Sequence, residues 1–219
     1  QLILTGAPGT GKTHAAREIA RCLGEPLLGD CAHMVQFHPS YDYTDFVEGL
    51  RPVQLRGTIK STFVRLDGSF KAFCRSVAEK NRSHSHAPTP DHGTVDPRCV
   101  DDPEGRLYFF LIDEINRANL SQVFGELMFC LESDKRGLPV QTEYRNLPTC
   151  LVGADQKAVV MEDDVFANGF FIPRNVVILG TMNDIDRSVE SMDFALRRRF
   201  IWHEVTAGRA TLMRAFESG

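Results

Sequence analysis

Apolar residues along the chain fall into short unbroken runs separated by stretches with helical spacing. Residues 2–5 (Leu-Ile-Leu-Thr) predict a buried strand, and Gly6 to Gly11 a loop. Lys12 to Leu23 places Ala15, Ala16, Ile19, Ala20 and Leu23 at helical intervals, with Gly24 and Pro26 as the stop. A second strand is predicted at Met34 to His38. An aromatic-rich turn and short helix follow over Tyr41 to Leu50, ended by Gly49 and Pro52. Ser69 to Asn81 reads as a helix with Phe70, Phe73, Val77 and Ala78 on one face. Leu107 to Asp113 is a continuous apolar strand, followed by a helix over Leu120 to Leu131. Pro139 to Val160 carries two β-like pieces around Gly153-Ala154-Asp155, the pattern of a hairpin. Val176 to Thr181 is another buried strand, Asp193 to Arg199 a short helix, Phe200 to Val205 a last strand, and Thr211 to Glu217 is helix-like. Strands apolar on both faces and alternating with helices predict an α/β fold with a parallel sheet covered on each side.

Composition narrows this picture. The 219 residues are 42% hydrophobic and 25% charged, enough for one generous domain or two small ones with a real core. A net charge of −4 gives no basic field for nonspecific wrapping of nucleic acid. The longest apolar run, Leu107 to Ile112, is far short of the roughly 20 residues that span a bilayer, so no membrane partner is expected. The six cysteines contain no CxxC pair and read as reduced thiols of a cytoplasmic protein. The chain opens at Gln1 directly into a strand, as expected of a piece of a longer protein. Residues 83–105 hold four prolines, three histidines and five acidic residues against one arginine, and read as an exposed loop insertion. His84, His86 and His92 lack a fixed ligand spacing and are not assigned to a metal.

Candidate chemistry concentrates at the ends of the apolar strands. Gly6-Ala7-Pro8-Gly9-Thr10-Gly11-Lys12-Thr13 matches GxxxxGK[ST] in full, with a strand before it and a helix after it. The glycines let the backbone curl so that its N–H groups point at phosphate oxygens, and the following helix directs its positive end at the same place. Lys12 is placed to reach the β- and γ-phosphates, and the Thr13 hydroxyl to bind Mg²⁺. The strand from Leu107 empties into Asp113-Glu114. Carboxyl ends of neighbouring parallel strands share one edge, so Asp113 is expected beside the loop as a second Mg²⁺ ligand. Glu114 is expected to polarise an attacking water. The strand Val176 to Thr181 delivers Asn183 to the same edge as a partner for the γ-phosphate or the water. The alternative for Asn183 and Asp186 is that they cap the next turn. Of Arg197, Arg198 and Arg199, at least one must project away from the others on a helix. The rest can serve a neighbouring subunit's site in trans or remain solvated. No Ser-His-Asp or Cys-His arrangement and no nuclease-like carboxylate cluster is visible.

In this order, the phosphate loop, Asp113-Glu114, Asn183 and the arginine helix resemble an AAA+ ATPase core. Three stretches are more specific. Val35 to Tyr41 with Asp45 to Pro52 is similar to the segment after the P-loop in McrB-type proteins. Asp113-Glu114-Ile115-Asn116-Arg117-Ala118-Asn119 is similar to their extended Walker B. Met182-Asn183-Asp184-Ile185-Asp186-Arg187-Ser188 resembles the signature MNTADRS, with Asp184-Ile185 in place of Thr-Ala. The resemblance implies a P-loop NTPase (AAA+) core over 1–219, with an added β-hairpin and with the helical lid and a DNA-reading domain outside the segment. It implies an ATP or GTP hydrolase using Mg²⁺, built as a ring, in the family a hexamer. That ring would be the motor subunit of a methylation-dependent restriction system. A nuclease-bearing McrC-like partner would stimulate it, and DNA would be engaged through the missing domains or an assembled pore. By the same resemblance Asn183 is sensor 1, Asp186 organises the water, and Arg117, Arg198 and Arg199 are candidates for contacts across a subunit interface. The change at Asp184-Ile185 leaves ATP and GTP both open. Other readings with the same site are a MoxR- or dynein-like remodeller of protein complexes and a nucleotide-dependent switch. Without its lid the segment is expected to bind nucleotide weakly and turn over slowly; fast multiple turnover by the isolated monomer in a phosphate-release assay would contradict this.

Overall fold

The computed structural model describes residues 1–24, 31–55, 61–84, 106–153, 157–183 and 194–206. In chain order they form β1 (Leu2–Thr5), α1 (Lys12–Leu23), β2 (Ala32–Gln36), α2 (Tyr43–Phe46), β3 (Glu48–Leu55), β4 (Ser61–Asp67) and α3 (Ser69–His84). Then come β5 (Tyr108–Asp113), α4 (Leu120–Phe124), β6 (Thr149–Val152), β7 (Lys157–Val160), β8 (Val176–Thr181), α5 (Phe194–Arg197) and β9 (Ile201–Glu204). Contacts sort the chain into two units, one drawn from Gln1–Pro39, Leu107–Ala118 and Val177–Gly219, the other from Ser40–Arg106 and Asn119–Val176.

The first unit is the expected parallel sheet, with strand order β2-β5-β8-β1-β9. The pairs β2–β5, β8–β1 and β1–β9 all run parallel. Tyr108 to Ile112 are buried on both faces of β5, which is why that strand reads as an unbroken apolar run. Helix α1 sets Ala16 and Ala20 against Leu4, Phe109, Leu111 and Leu179. Small side chains on that face let the helix axis approach the sheet closely. The helix ends where the Gly24 N–H reaches the Ala20 carbonyl at 2.8 Å, and β1, β8 and α1 have the bounds that the hydrophobic pattern predicts.

The second unit departs from expectation. The hairpin over 139–160 is present as antiparallel β6–β7, with Leu151 opposite Val159. It belongs, however, to a closed four-stranded barrel, β3-β4-β6-β7. Strand β3 begins where the pattern predicts a helix end, and β4 lies in a stretch to which the pattern assigns no element. Gly49 and Pro52 are not stops: β3 runs through both and pairs Gly49 with Leu66 and Pro52 with Phe63 in β4. Gly49 is needed for close approach, since a Cβ there would come within 2.7 Å of the Thr44 Cβ. The helix predicted over Tyr41–Leu50 shrinks to α2, capped by the Asp42 carboxylate on the Thr44 N–H at 2.8 Å. The helix predicted over Leu120–Leu131 is α4 followed by a 3₁₀ segment, Gly125–Leu131. Helix α3 runs on to His84, so Ser83 and His84 are helical, while 85–105 and the stretch 211–217 lie outside the described residues.

Besides its small apolar barrel core (Val64, Cys150, Ala158), this unit carries a buried charged network. Glu48 is fully buried and takes a hydrogen bond from Lys71, itself 2% exposed, and one from the Tyr144 N–H at 3.0 Å. Arg75 bridges Asp67, at 2.6 Å, and Asp164. Burial pushes the Glu48 carboxyl up, but the Lys71 ammonium and the hydrogen bonds more than offset it and hold it below its ordinary value. Because the folded state lowers this pKa, the stabilisation is complete above the unfolded value of about 4.3 and is lost as pH falls through the folded one. Glu48→Gln leaves the buried Lys71 ammonium with the more distant Asp67 carboxylate at 3.8 Å and should cost about 3–5 kcal/mol in urea unfolding at pH 7. The variant should lose less stability than the wild type on acidification below about pH 4, and equal losses would contradict the assignment.

Candidate nucleotide site

The strand order decides what can meet at the carboxyl edge of the sheet. The phosphate loop leaves β1 and Asp113 ends β5, but these strands are not neighbours, because β8 lies between them. Three chain ends therefore converge, and Thr181, the last residue of β8, occupies the middle one. Asp113 accepts the Thr13 hydroxyl at 2.9 Å on Oδ1, and the Thr181 hydroxyl on the same oxygen. The Glu114 N–H donates to the Thr181 Oγ1 at 3.4 Å. Asn183, two residues further on, donates from Nδ2 to Glu114 Oε1 at 3.0 Å. Arg117 donates from Nε to Glu114 Oε2 at 3.1 Å.

The loop itself has the shape that its glycines permit. Gly6 has φ 143°, and a Cβ there would lie 2.4 Å from the Val205 carbonyl oxygen, so both backbone conformation and space require glycine. The Thr10 hydroxyl closes the turn on the Ala7 carbonyl at 2.9 Å. Lys12 is 6% exposed and its Nζ donates to the Gly6 and Ala7 carbonyls at 2.9 and 2.7 Å. The ammonium is thus curled onto the loop that carries it. Pro8, Gly9, Gly11 and Lys12 form one wall of a cavity of about 340 Å³, with Asp113, Glu114, Thr181, Met182 and Asn183 on another. Nothing lies within 4 Å of where a Cβ would stand on Gly9 or Gly11, so the loop backbone is open to an approaching group.

Glu114 is the one non-glycine residue with positive φ among those described, at φ 54°, ψ 45°. A left-handed conformation costs a non-glycine residue about 1–2 kcal/mol and persists only where its surroundings impose it. Here the Glu114 carbonyl starts the 3₁₀ turn Ile115–Arg117 by accepting the Arg117 N–H at 2.9 Å, and the side chain is held at both oxygens. The turn leaves the carboxylate within hydrogen-bond reach of Asn183 and Arg117.

Among the predicted residues, Gly6 to Thr13, Asp113, Glu114 and Asn183 come together at one edge. Arg117 joins them through Glu114. Arg198 and Arg199 follow α5 and precede β9, and neither lines the cavity. The neighbouring Arg197 guanidinium lies over the Trp202 ring at 5.5 Å. Asp186 lies outside the described residues. Sequence reasoning missed Thr181, which looks like the terminal residue of an apolar strand, and His14, which follows the motif and lines the cavity. The available signal for Thr181 was a hydroxyl at a strand end where β-branched apolar residues otherwise dominate. The donor set fits a small hard cation: one carboxylate and one hydroxyl in contact, both oxygen, at the mouth of a phosphate-binding loop.

Comparison with known proteins agrees with this geometry. Residues 1–200 match the AAA domain (dynein-related subfamily). The Type IV methyl-directed restriction enzyme EcoKMcrB subunit of Escherichia coli (strain K12) is 38% identical over 207 residues, 94% of this chain and 35% of that protein. The Type II restriction enzyme BsuMI component YdiS of Bacillus subtilis (strain 168) is 27% identical over 208 residues, covering 90% of this chain and 54% of that one. The chain therefore spans about a third and about half of the lengths of these relatives. No helix among the described residues is long and apolar enough to cross a membrane. The chain belongs to the dynein-related AAA domain family and is a P-loop NTPase, similar over nearly its whole length to the EcoKMcrB subunit.

Proposed function

We propose that this domain hydrolyses ATP or GTP with Mg²⁺ and that the cycle drives a ring-shaped motor on DNA, as a subunit of an McrBC-like restriction system. The observation that supports hydrolysis most is the single hydrogen-bonded cluster in which Thr13, Asp113 and Thr181 stand directly beside Glu114 and Asn183. A site that only bound nucleotide would need the loop but not a second carboxylate held beside it. In this reading the triphosphate lies along the loop N–H groups from Gly6 to Thr13. Lys12 exchanges the Gly6 and Ala7 carbonyls for phosphate oxygens. Thr13 and Asp113 would hold Mg²⁺, which when bound neutralises developing charge on the β- and γ-phosphates. Glu114 accepts a proton from the attacking water, and Asn183 orients that carboxylate or the γ-phosphate.

Arg117, Arg198 and Arg199 are assigned to a subunit interface, with Asp186 as a water-organising residue. Arg198 and Arg199 stand between α5 and β9 and do not line the cavity of their own chain. The restriction reading draws on the two relatives, each described as part of a restriction enzyme. It carries with it a hexameric ring, a nuclease-bearing partner, DNA contact through further domains or the assembled pore, and a cytoplasmic location.

Two substitutions separate binding from chemistry in the full-length protein. Lys12→Ala should weaken nucleotide binding by about a hundredfold or more, measured by titration with a fluorescent analogue, because no other side chain at the loop carries a buried positive charge to the phosphates. Glu114→Gln should leave binding intact and lower single-turnover hydrolysis by about two to four orders of magnitude. Normal hydrolysis by Glu114→Gln would remove Glu114 from its assigned role. DNA-stimulated turnover with the partner present is the expected behaviour of the motor; stimulation by protein substrates alone would overturn the restriction reading.

A further inference from the structure

The roles assigned above leave out one buried polar group at the centre of the site. Thr181 is 4% exposed and ends the strand inserted between β1 and β5, in register with Leu4 of β1. Valine would suit this position equally as a strand former, being β-branched and of similar volume. Packing and propensity therefore do not ask for a hydroxyl here. Its two polar contacts do: Oγ1 donates to Asp113 Oδ1 and accepts the Glu114 N–H. One hydroxyl thus touches both residues of the acidic pair, from a strand that contains neither.

The geometry points to Thr181 as a positioning residue that presets the Asp113 carboxylate for a phosphate-bound divalent cation and fixes the backbone from which Glu114 projects. Two donors on one oxygen, Thr13 and Thr181, restrict rotation of the Asp113 carboxylate. Losing one leaves the carboxylate free to turn and its oxygens less well placed for a metal. Losing the acceptor on the Glu114 N–H removes one of the interactions that impose the left-handed conformation at φ 54°. Neither loss touches the hydrogen bonds that Lys12 donates to the Gly6 and Ala7 carbonyls. The defect should therefore fall on the metal-dependent part of binding and on turnover, and spare nucleotide binding without metal.

This inference rests on the hydrolase reading, and the test separates the two. Full-length wild-type, Thr181→Val and Thr181→Ser proteins are titrated with fluorescent ATP and GTP analogues in EDTA and in excess Mg²⁺, and kcat and KM are measured against Mg²⁺ concentration. Thr181→Val should keep its affinity in EDTA within about twofold, while the affinity gained on adding Mg²⁺ falls by about tenfold or more, the usual scale for a residue that orients a metal ligand. Its kcat at saturating nucleotide and metal should fall, and its KM for nucleotide in Mg²⁺ should rise in step with the lost metal-dependent affinity. Thr181→Ser, which keeps the hydroxyl, should restore both. Melting curves check folding, and if Thr181→Val does not fold, Thr181→Ala carries the same expectation. A full Mg²⁺-dependent gain in the hydroxyl-free variant, equal losses with and without metal, or failure of serine to rescue would each overturn the inference while leaving the hydrolase reading standing. A wild type that gains nothing from Mg²⁺ would overturn both.

Discussion

The acceptance of two hydroxyls by a single oxygen of Asp113 is the contact on which the nucleotide site depends. Strand order makes it necessary. With β8 lying between β1 and β5, the loop that follows β1 and the acid that ends β5 stand two strands apart, and Asp113 must reach across the end of β8 to meet Thr13. The residue at that crossing has to be small and must offer a hydrogen bond, and Thr181 does both. Glu114 then turns out of the sheet in a left-handed conformation, and its carboxylate accepts from Asn183, two residues past the end of the same central strand. The parallel sheet thus turns three separated stretches of sequence into one set of contacts, with no residue displaced from its strand end.

The hydrogen bonds of Lys12 follow the same economy of charge. A buried ammonium needs partners, and the loop carbonyls of Gly6 and Ala7 provide them. Glu114 is similarly satisfied by Asn183 and Arg117. The ion pair with Arg117 is partly exposed, with side-chain exposures of 51% and 19%, and pairs of that kind contribute about 0–1 kcal/mol. It can therefore be exchanged for other partners at small cost, as a residue that serves both a free and an assembled subunit would require.

Much of the first unit was legible because its signals are local. The phosphate loop is a contiguous motif, and β1, β5 and β8 are buried on both faces, so each appears as an apolar run with polar residues where the run stops. The barrel of the second unit was not legible for the opposite reason. Its strands carry Glu48, Arg65 and Asp67, which a hydrophobic pattern counts as exposed, although Glu48 and Arg65 are buried through pairing with residues distant in sequence. Gly49 and Pro52 added false punctuation: the first answers to the crowding of Thr44, a contact invisible in sequence. Thr181 escaped notice because a threonine at a strand end is unremarkable until the neighbouring strand is known to end in an acid.

The central claim is that this sheet edge is a triphosphate and metal site whose side chains change partners when it fills. A crystal structure of the full-length protein with a non-hydrolysable triphosphate and Mg²⁺ tests it most directly. The account predicts the phosphates along Gly6 to Thr13, Lys12 Nζ released from the Gly6 and Ala7 carbonyls onto phosphate oxygens, and the metal beside Thr13 and Asp113 with Thr181 still bonded to Asp113. A triphosphate bound away from this edge, or one bound here with Lys12 still on its loop carbonyls, would contradict it.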